Sequence, residues 1–359
     1  MELICKVCGY RSRNLEPHIS GEHADRGGLE WYINEYGVFP EDIVDPNLTK
    51  PEEPKAKSKK KLDPSMIDIA GKQLKKITES SQYVPSINDA YVWNEDIPDI
   101  IEDMQENLPI MLIGHTGCGK TSSIFEIGAR INQGVLRVNM NGQTTIGDFV
   151  GLLTVKGGET VWIDGVLPHA MRNGLWLIVD EIDFAEPAIL SVLNAVLEQH
   201  GKLTLKEKGH EIIEPHPNFR LFATGNSIGC MSDYRGLYQG TNILNEAFLD
   251  RWQVYHYDYL PAKDEVKILV KTVPKMTDRI AKQIVFIANK VRDSFKKEEI
   301  SCTFSTRRLL DWGKKMIRHR DPIKGAQSTV FSKISREDAE VIRGIIIRRM
   351  RGENEDEGS

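Results

Sequence analysis

The stretch LPIMLIGHTGCGKTSSIFEIGARI, residues 108–131, decides the fold. It carries an unbroken apolar run, Ile110 to Ile113, between Pro109 and Gly114. A short run without polar alternation reads as a strand buried on both faces, the kind found in parallel sheets. GHTGCGKT (114–121) follows and fits G-x-x-x-x-G-K-[ST] in full. Its glycines at 114, 117 and 119 let successive backbone N–H groups turn inward around phosphate oxygens. The residues after it have helical periodicity, so a helix N-terminus adds partial positive charge at the same point. On this pattern Gly114, His115, Thr116, Gly117, Cys118, Gly119, Lys120 and Thr121 form a nucleotide-phosphate loop. Lys120 is placed to reach the β- and γ-phosphates, and the Thr121 hydroxyl to ligate Mg²⁺.

Working outward, VLRVN (135–139), LWLIVDE (175–181), FRLFATGN (219–226) and WQVYHYDY (252–259) read as further buried strands. PAILSVLNAVLEQ (187–199) reads as a helix between two of them. This alternation predicts an α/β domain with a parallel sheet. LWLIVDE sets Asp180 at the carboxyl end of a central strand as a Mg²⁺ carboxylate. Glu181 is then the base that polarises the attacking water. Asp183 either assists the metal or caps the next helix. Asn226 closes another buried strand, where it orients water or simply terminates the strand, as asparagine often does. After Pro261 the strands stop and four segments with helical periodicity follow, a small all-α domain. Ser335 with Asp338 resembles a capping box.

The other parts of the chain read differently. CKVCGYRSRNLEPHISGEH (5–23) holds Cys5, Cys8, His18 and His23 in the spacing C-x2-C-x9-H-x4-H. Two thiolates and two imidazoles suit tetrahedral Zn²⁺, although the central gap is shorter than usual. A unit this small buries too little apolar surface to fold without a staple. The expected organisation is a zinc-finger-like unit over 1–45, a Pro/Lys-rich linker over 46–64, the α/β core over 65–260, a helical lid over 261–350 and an acidic tail over 351–359. The 359 residues carry a net charge of −5, with 40% hydrophobic and 28% charged residues, an ordinary soluble composition. Bulk charge gives no reason to expect nucleic acid, and the first 28 residues balance their charges, so a protein-docking role for the finger is favoured over a nucleic-acid one. No apolar run approaches a membrane span. Five cysteines in a chain this long make no disulfide framework and suit a reducing, cytoplasmic setting.

Together these residues resemble the AAA+ ATPases. The resemblance covers roughly 83–350 and is nearest the MoxR-type branch and its CobS-type cobaltochelatase subunits. It rests on GHTGCGKTS, VNMNGQTTIGDFVG, DGVLPHAMRNGLWLIVDEIDFAEP, PHPNFRLFATGNSIG and GLYQGTNILNEAFLDRW. It implies a five-stranded core sheet, a helical lid, and ATP and Mg²⁺ as ligands. It also implies hexameric rings and a CobT-like partner bearing a von Willebrand A-type domain. Such rings couple ATP hydrolysis to remodelling or metal loading of that partner. On the same resemblance GDFVGLLTVKGGETVWIDGVLPHAM (147–171) forms an inserted hairpin and GKLTLKEKGHEIIEP (201–215) a second one. Arg251 in FLDRW occupies the arginine-finger position, acting on ATP of the neighbouring subunit, or else pairs locally with Asp250. Arg307 in FSTRRLLDW is the lid's sensor, with Arg308 as the fallback. The N-terminal unit resembles Ros/MucR-type fingers. That departure from the plain CobS pattern leaves a second reading, a zinc-finger-targeted nucleic-acid-binding ATPase or regulator.

Overall fold

The computed structural model describes residues 3–5, 7–8, 11–12, 15–22, 35, 65–79, 81–226 and 244–351. The chain divides into two units, Met1–Pro64 and Ser65–Ser359. In the first, β1 (Leu3–Ile4) pairs antiparallel with β2 (Arg11–Ser12), and α1 (Glu16–Glu22) follows. Cys5, Leu15 and Ile19 are buried there.

The second unit begins with a hairpin, β3 (Met66–Ile69) and β4 (Lys72–Lys75), then α2 (Ile97–Gln105) and β5 (Ile110–Gly114). Next come α3 (Lys120–Ile131), β6 (Val135–Asn139) and the one-turn α4 (Ile146–Phe149). A second hairpin pairs β7 (Gly151–Lys156) with β8 (Glu159–Asp164). After α5 (Val166–Asn173) come β9 (Trp176–Asp180) and α6 (Pro187–Leu197). A third hairpin of β10 (Leu203–Leu205) and β11 (Glu211–Ile213) leads to β12 (Arg220–Gly225), then α7 (Glu246–Leu249) and β13 (Gln253–Tyr257).

Five strands form one parallel sheet in the order β13-β5-β12-β9-β6. Successive side chains point to opposite faces of a strand. Met111, Ile113, Leu177, Val179, Leu221 and Ala223 therefore enter one core, with Phe149, Ile189 and Leu193. Ile110, Leu112, Trp176, Ile178 and Phe222 enter the other, with Ile100, Ile124 and Ile127. Burial on both faces is why the central strands β5, β9 and β12 are largely apolar, whereas the edge strands β6 and β13 are only partly buried.

Beyond β13 lie α8 (Ala262–Thr272), α9 (Asp278–Lys296), α10 (Thr306–His319), α11 (Pro322–Thr329) and α12 (Arg336–Arg351). They close their own core around Trp312, Phe304, Ile284, Ile287 and Ile342. The periodicity predicts four helical segments in this lid, and α11 is a further helix between the last two. The Ser335 box is half formed. The Asp338 amide donates to Ser335 Oγ, but the Asp338 carboxylate accepts from the amide and hydroxyl of Ser301 instead. A complete capping box joins Thr145 and Asp148 at α4. No helix of the described residues is long and apolar enough to cross a membrane.

Candidate nucleotide site

Parallel strands deliver their carboxyl ends to one edge, and the site lies there. A cleft of about 360 Å³ is lined by Thr116 to Ser122, Asp180, Glu181, Thr224, Gly225 and Asn226. That volume lies within the range of small-ligand pockets. In-register pairing of β5, β12 and β9 puts Gly225 beside Ile113 and Ala223 beside Val179, so the three strands end nearly level.

The loop after β5 takes its shape from its glycines. Gly117 has φ +74 and Gly119, at the N-terminus of α3, has φ +105, backbone values that side chains resist. A Cβ on Gly117 would stand 2.5 Å from the Ser305 Cβ, so this turn is pressed against the start of the lid helix α10. Gly119 faces open space. Gly114 and His115 lie behind the cleft. Their carbonyls accept the Lys120 ammonium at 2.6 and 3.0 Å, and Asn226 Oδ1 accepts it at 3.2 Å. The His115 ring stacks on Tyr259 and meets Phe295 edge-on, and burial lowers its pKa. Burial pushes the Lys120 ammonium below the usual lysine range, against the pull of Cys118, Asp180, Asp183 and Glu181. Burial raises the Cys118 thiol.

At the end of β9 Asp180 is buried, its side chain 6% exposed. Its Oδ1 accepts the Thr121 hydroxyl at 3.1 Å and also the Thr224 hydroxyl, while its Oδ2 pairs with Arg137 of β6. A threonine hydroxyl and a carboxylate facing one another are hard oxygen donors of the kind Mg²⁺ prefers. Glu181 follows with φ 56 and ψ 46, the left-handed region that costs a non-glycine residue about 1–2 kcal/mol. The turn brings Glu181 onto the cleft wall beside Asp180, where plain strand alternation would send it to the opposite face. Its amide donates to Thr224 Oγ1 at 3.3 Å. Asp183, in the short turn that follows, accepts the Asn226 amide at 3.1 Å. It thus ties β9 to β12 and neither lines the cleft nor caps α6.

The rest of the wall was not legible as site. Residues Asn88 to Asn94 have no periodicity, yet Asn88, Ala90, Tyr91, Val92 and Asn94 border the cleft. The Asn88 amide donates to the Glu126 carboxylate at 3.0 Å, which fixes this segment against α3. Leu260, Ile268 and Leu310 also line the cleft and make that part of its wall apolar. From the lid, Arg307 enters the cleft wall, whereas Arg308 donates to the Thr303 carbonyl at 2.7 Å.

Arg251 lies outside this cleft. It bonds Glu198 through Nε at 2.9 Å and Nη2 at 2.6 Å, and the Ala247 carbonyl through Nη1. The local partner is therefore Glu198, not Asp250. Both inserted hairpins are present. VKGGET (155–160) caps the first, where Gly157 and Gly158 take positive φ, and Leu153 and Val155 are exposed beside it.

In the N-terminal unit the ligand atoms of Cys5, Cys8 and His18 lie within 4.8 Å of one another, and Cys8 Sγ approaches His18 Nε2 at 3.1 Å. This sulfur and nitrogen set fits Zn²⁺. His23, named as the fourth ligand, lies outside the described residues, as do the linker and residues 352–359 of the acidic tail.

Residues 109–251 match the AAA domain (dynein-related subfamily), and residues 265–347 match the CbbQ/NirQ/NorQ C-terminal family. Among curated proteins, the aerobic cobaltochelatase subunit CobS of Sinorhizobium is 34% identical over 66% of this chain and 73% of its own length. Protein NorQ of Paracoccus denitrificans is 29% identical over 67% of this chain and 84% of its own. Midasin of Dictyostelium discoideum is 34% identical over 45% of this chain, which is 3% of midasin. With both halves of the large unit matched and the phosphate-loop cleft in place, the chain belongs to the AAA+ ATPases of the CobS, NorQ and CbbQ type.

Proposed function

We propose that this chain is the motor subunit of a Mg²⁺-dependent ATPase ring that acts on a partner protein. The observation that carries the reading is the convergence of Lys120, Thr121, Asp180, Glu181 and Asn226, from two strand ends and one helix, on one cleft. ATP lies with its base against Leu260, Ile268 and Leu310 and its phosphates along residues 116–121. Lys120 leaves the Gly114 and His115 carbonyls for the phosphate oxygens. Thr121 and Asp180 hold the metal, which when bound neutralises charge on the β- and γ-phosphates. Glu181 takes a proton from the attacking water, Asn226 orients that water, and Arg307 contacts the phosphates from the lid. Arg251 serves the cleft of the next subunit, which is consistent with its place outside its own. The ring is a hexamer in this reading.

Similarity to CobS supports a partner such as a CobT-like protein with a von Willebrand A-type domain, and remodelling or metal loading as the work done. The N-terminal unit, with Zn²⁺ on Cys5, Cys8, His18 and His23, serves as a docking piece. The test of the ATPase reading is Glu181→Gln. It keeps the cleft's shape and removes the base, so a fluorescent ATP analogue still binds while turnover falls at least about a hundredfold. Unchanged turnover would overturn the role of Glu181.

A further inference from the structure

Asp180 is a buried carboxylate, and such a charge is costly unless paired. Its neighbours settle which group does the pairing. Lys120 is turned to two backbone carbonyls and Asn226. Thr121 and Thr224 supply neutral hydroxyls to Oδ1. Among the described residues, the cation in a salt bridge with Asp180 is Arg137, on Oδ2. Arg137 arises from β6, the edge strand beside β9, and its side chain is 48% exposed along the cleft wall. The guanidinium therefore stands on the open side of the carboxylate that Mg²⁺ needs.

We infer that Arg137 is a built-in counter-cation for Asp180, a positioning residue that the metal must displace. In the empty cleft it pairs with the carboxylate and holds it in place. A divalent ion arriving alone competes with a guanidinium already in place and gains little. A Mg–nucleotide complex brings phosphate charge that receives the released guanidinium, so displacement costs less. Arg137 thereby makes the cleft take up metal and nucleotide together. This rests on the nucleotide reading of the cleft.

The test measures binding, not turnover, on the full chain. Mn²⁺ alone is titrated by electron paramagnetic resonance, and a fluorescent ATP analogue is titrated with and without Mg²⁺, for the native chain and Arg137→Met. Without the arginine, Mn²⁺ binds the nucleotide-free chain about tenfold tighter, the size of one lost charge competitor. The metal-free analogue binds several-fold weaker, since the bare Asp180 carboxylate repels its phosphates. A purely structural role weakens both together. Unchanged or weaker Mn²⁺ binding, with analogue binding retained, overturns the inference. Should the methionine variant not fold, Arg137→Gln carries the same expectations and the same refutation. Failure of the native chain to bind the analogue at all would instead refute the nucleotide reading.

Discussion

Replacing Arg292 with methionine strands a carboxylate in the lid. Arg292 of α9 meets Glu265 of α8 through two bonds, Nη1 to Oε2 at 2.7 Å and Nη2 to Oε1 at 2.8 Å. Its Nε donates to the Phe304 carbonyl at 2.8 Å, and its guanidinium covers the Tyr259 ring at 3.9 Å. Glu265 is 0% exposed, and its other bond is from the Thr306 hydroxyl at 2.7 Å. Removing one partner of such a pair costs about 3–5 kcal/mol, because the remaining charge stays buried. Replacing both with methionine removes the stranded charge. It leaves the Phe304 carbonyl, the Asn289 side-chain oxygen and the Thr306 hydroxyl without these partners, a cost of about 1–3 kcal/mol per unsatisfied group. Urea unfolding of the native chain, both single variants and the double variant, followed by circular dichroism, gives the cycle. The expected result is strong non-additivity, the double variant more stable than Arg292→Met. Single variants costing under about 1 kcal/mol and adding simply would refute the argument. Tyr259 also bonds the Thr116 carbonyl and the Thr303 hydroxyl, so a loosened lid reaches the phosphate loop and weakens nucleotide binding in Arg292→Met.

Other outcomes follow from single contacts. Gly117→Ala adds a Cβ 2.5 Å from Ser305 at a positive φ, so the loop and lid must part, and fluorescent-ATP affinity falls at least tenfold by titration. Burial lowers the Lys120 pKa, so the empty folded chain loses that proton at lower pH than the unfolded chain. This burial penalty is fully present below the lowered folded value and fades as pH rises toward the unfolded one. Phosphate favours the ammonium. Nucleotide binding therefore takes up a proton at alkaline pH, and affinity falls as pH rises through the lowered value. Calorimetry in buffers of different ionisation enthalpy reads that uptake, and its absence would contradict the assignment. Cys8→Ser lowers bound zinc, measured by mass spectrometry on the purified chain, from one equivalent toward none. Unchanged zinc content would remove the cluster from consideration.

The strand-loop-helix of residues 108–131 was legible because several signals agree in few residues. A wholly apolar run has one comfortable place, the middle of a parallel sheet, and a glycine-rich turn there leaves its amides aimed at the strand ends. The other four strands of the parallel sheet are legible too, each within two residues of its observed ends. What escaped was set by contacts distant in sequence. Arg137 sits in VLRVN like any edge-strand arginine, and only pairing with β9 brings it to Asp180, 43 residues on. Glu198 meets Arg251 across 53 residues. The segment 88–94 becomes cleft wall through contacts with α3, among them the Asn88 amide on Glu126 and the Trp93 ring under the Arg130 guanidinium, and no periodicity announces it. The β3–β4 hairpin was missed because its strands have four residues each and one turn, Ala70–Gly71. Asp338 satisfies Ser301 in place of its own helix start, a choice that local spacing cannot reveal.

The central claim is that nucleotide is cleaved in a seam between two copies of this chain. Two variants, Lys120→Ala and Arg251→Ala, each inactive alone, are mixed at increasing ratio and assayed for phosphate release. In a mixed ring some seams combine an intact Lys120 with an intact neighbouring Arg251, so turnover returns, highest near equal amounts. A mixture that stays as inactive as its parts at every ratio, while the two variants demonstrably assemble together, contradicts the claim.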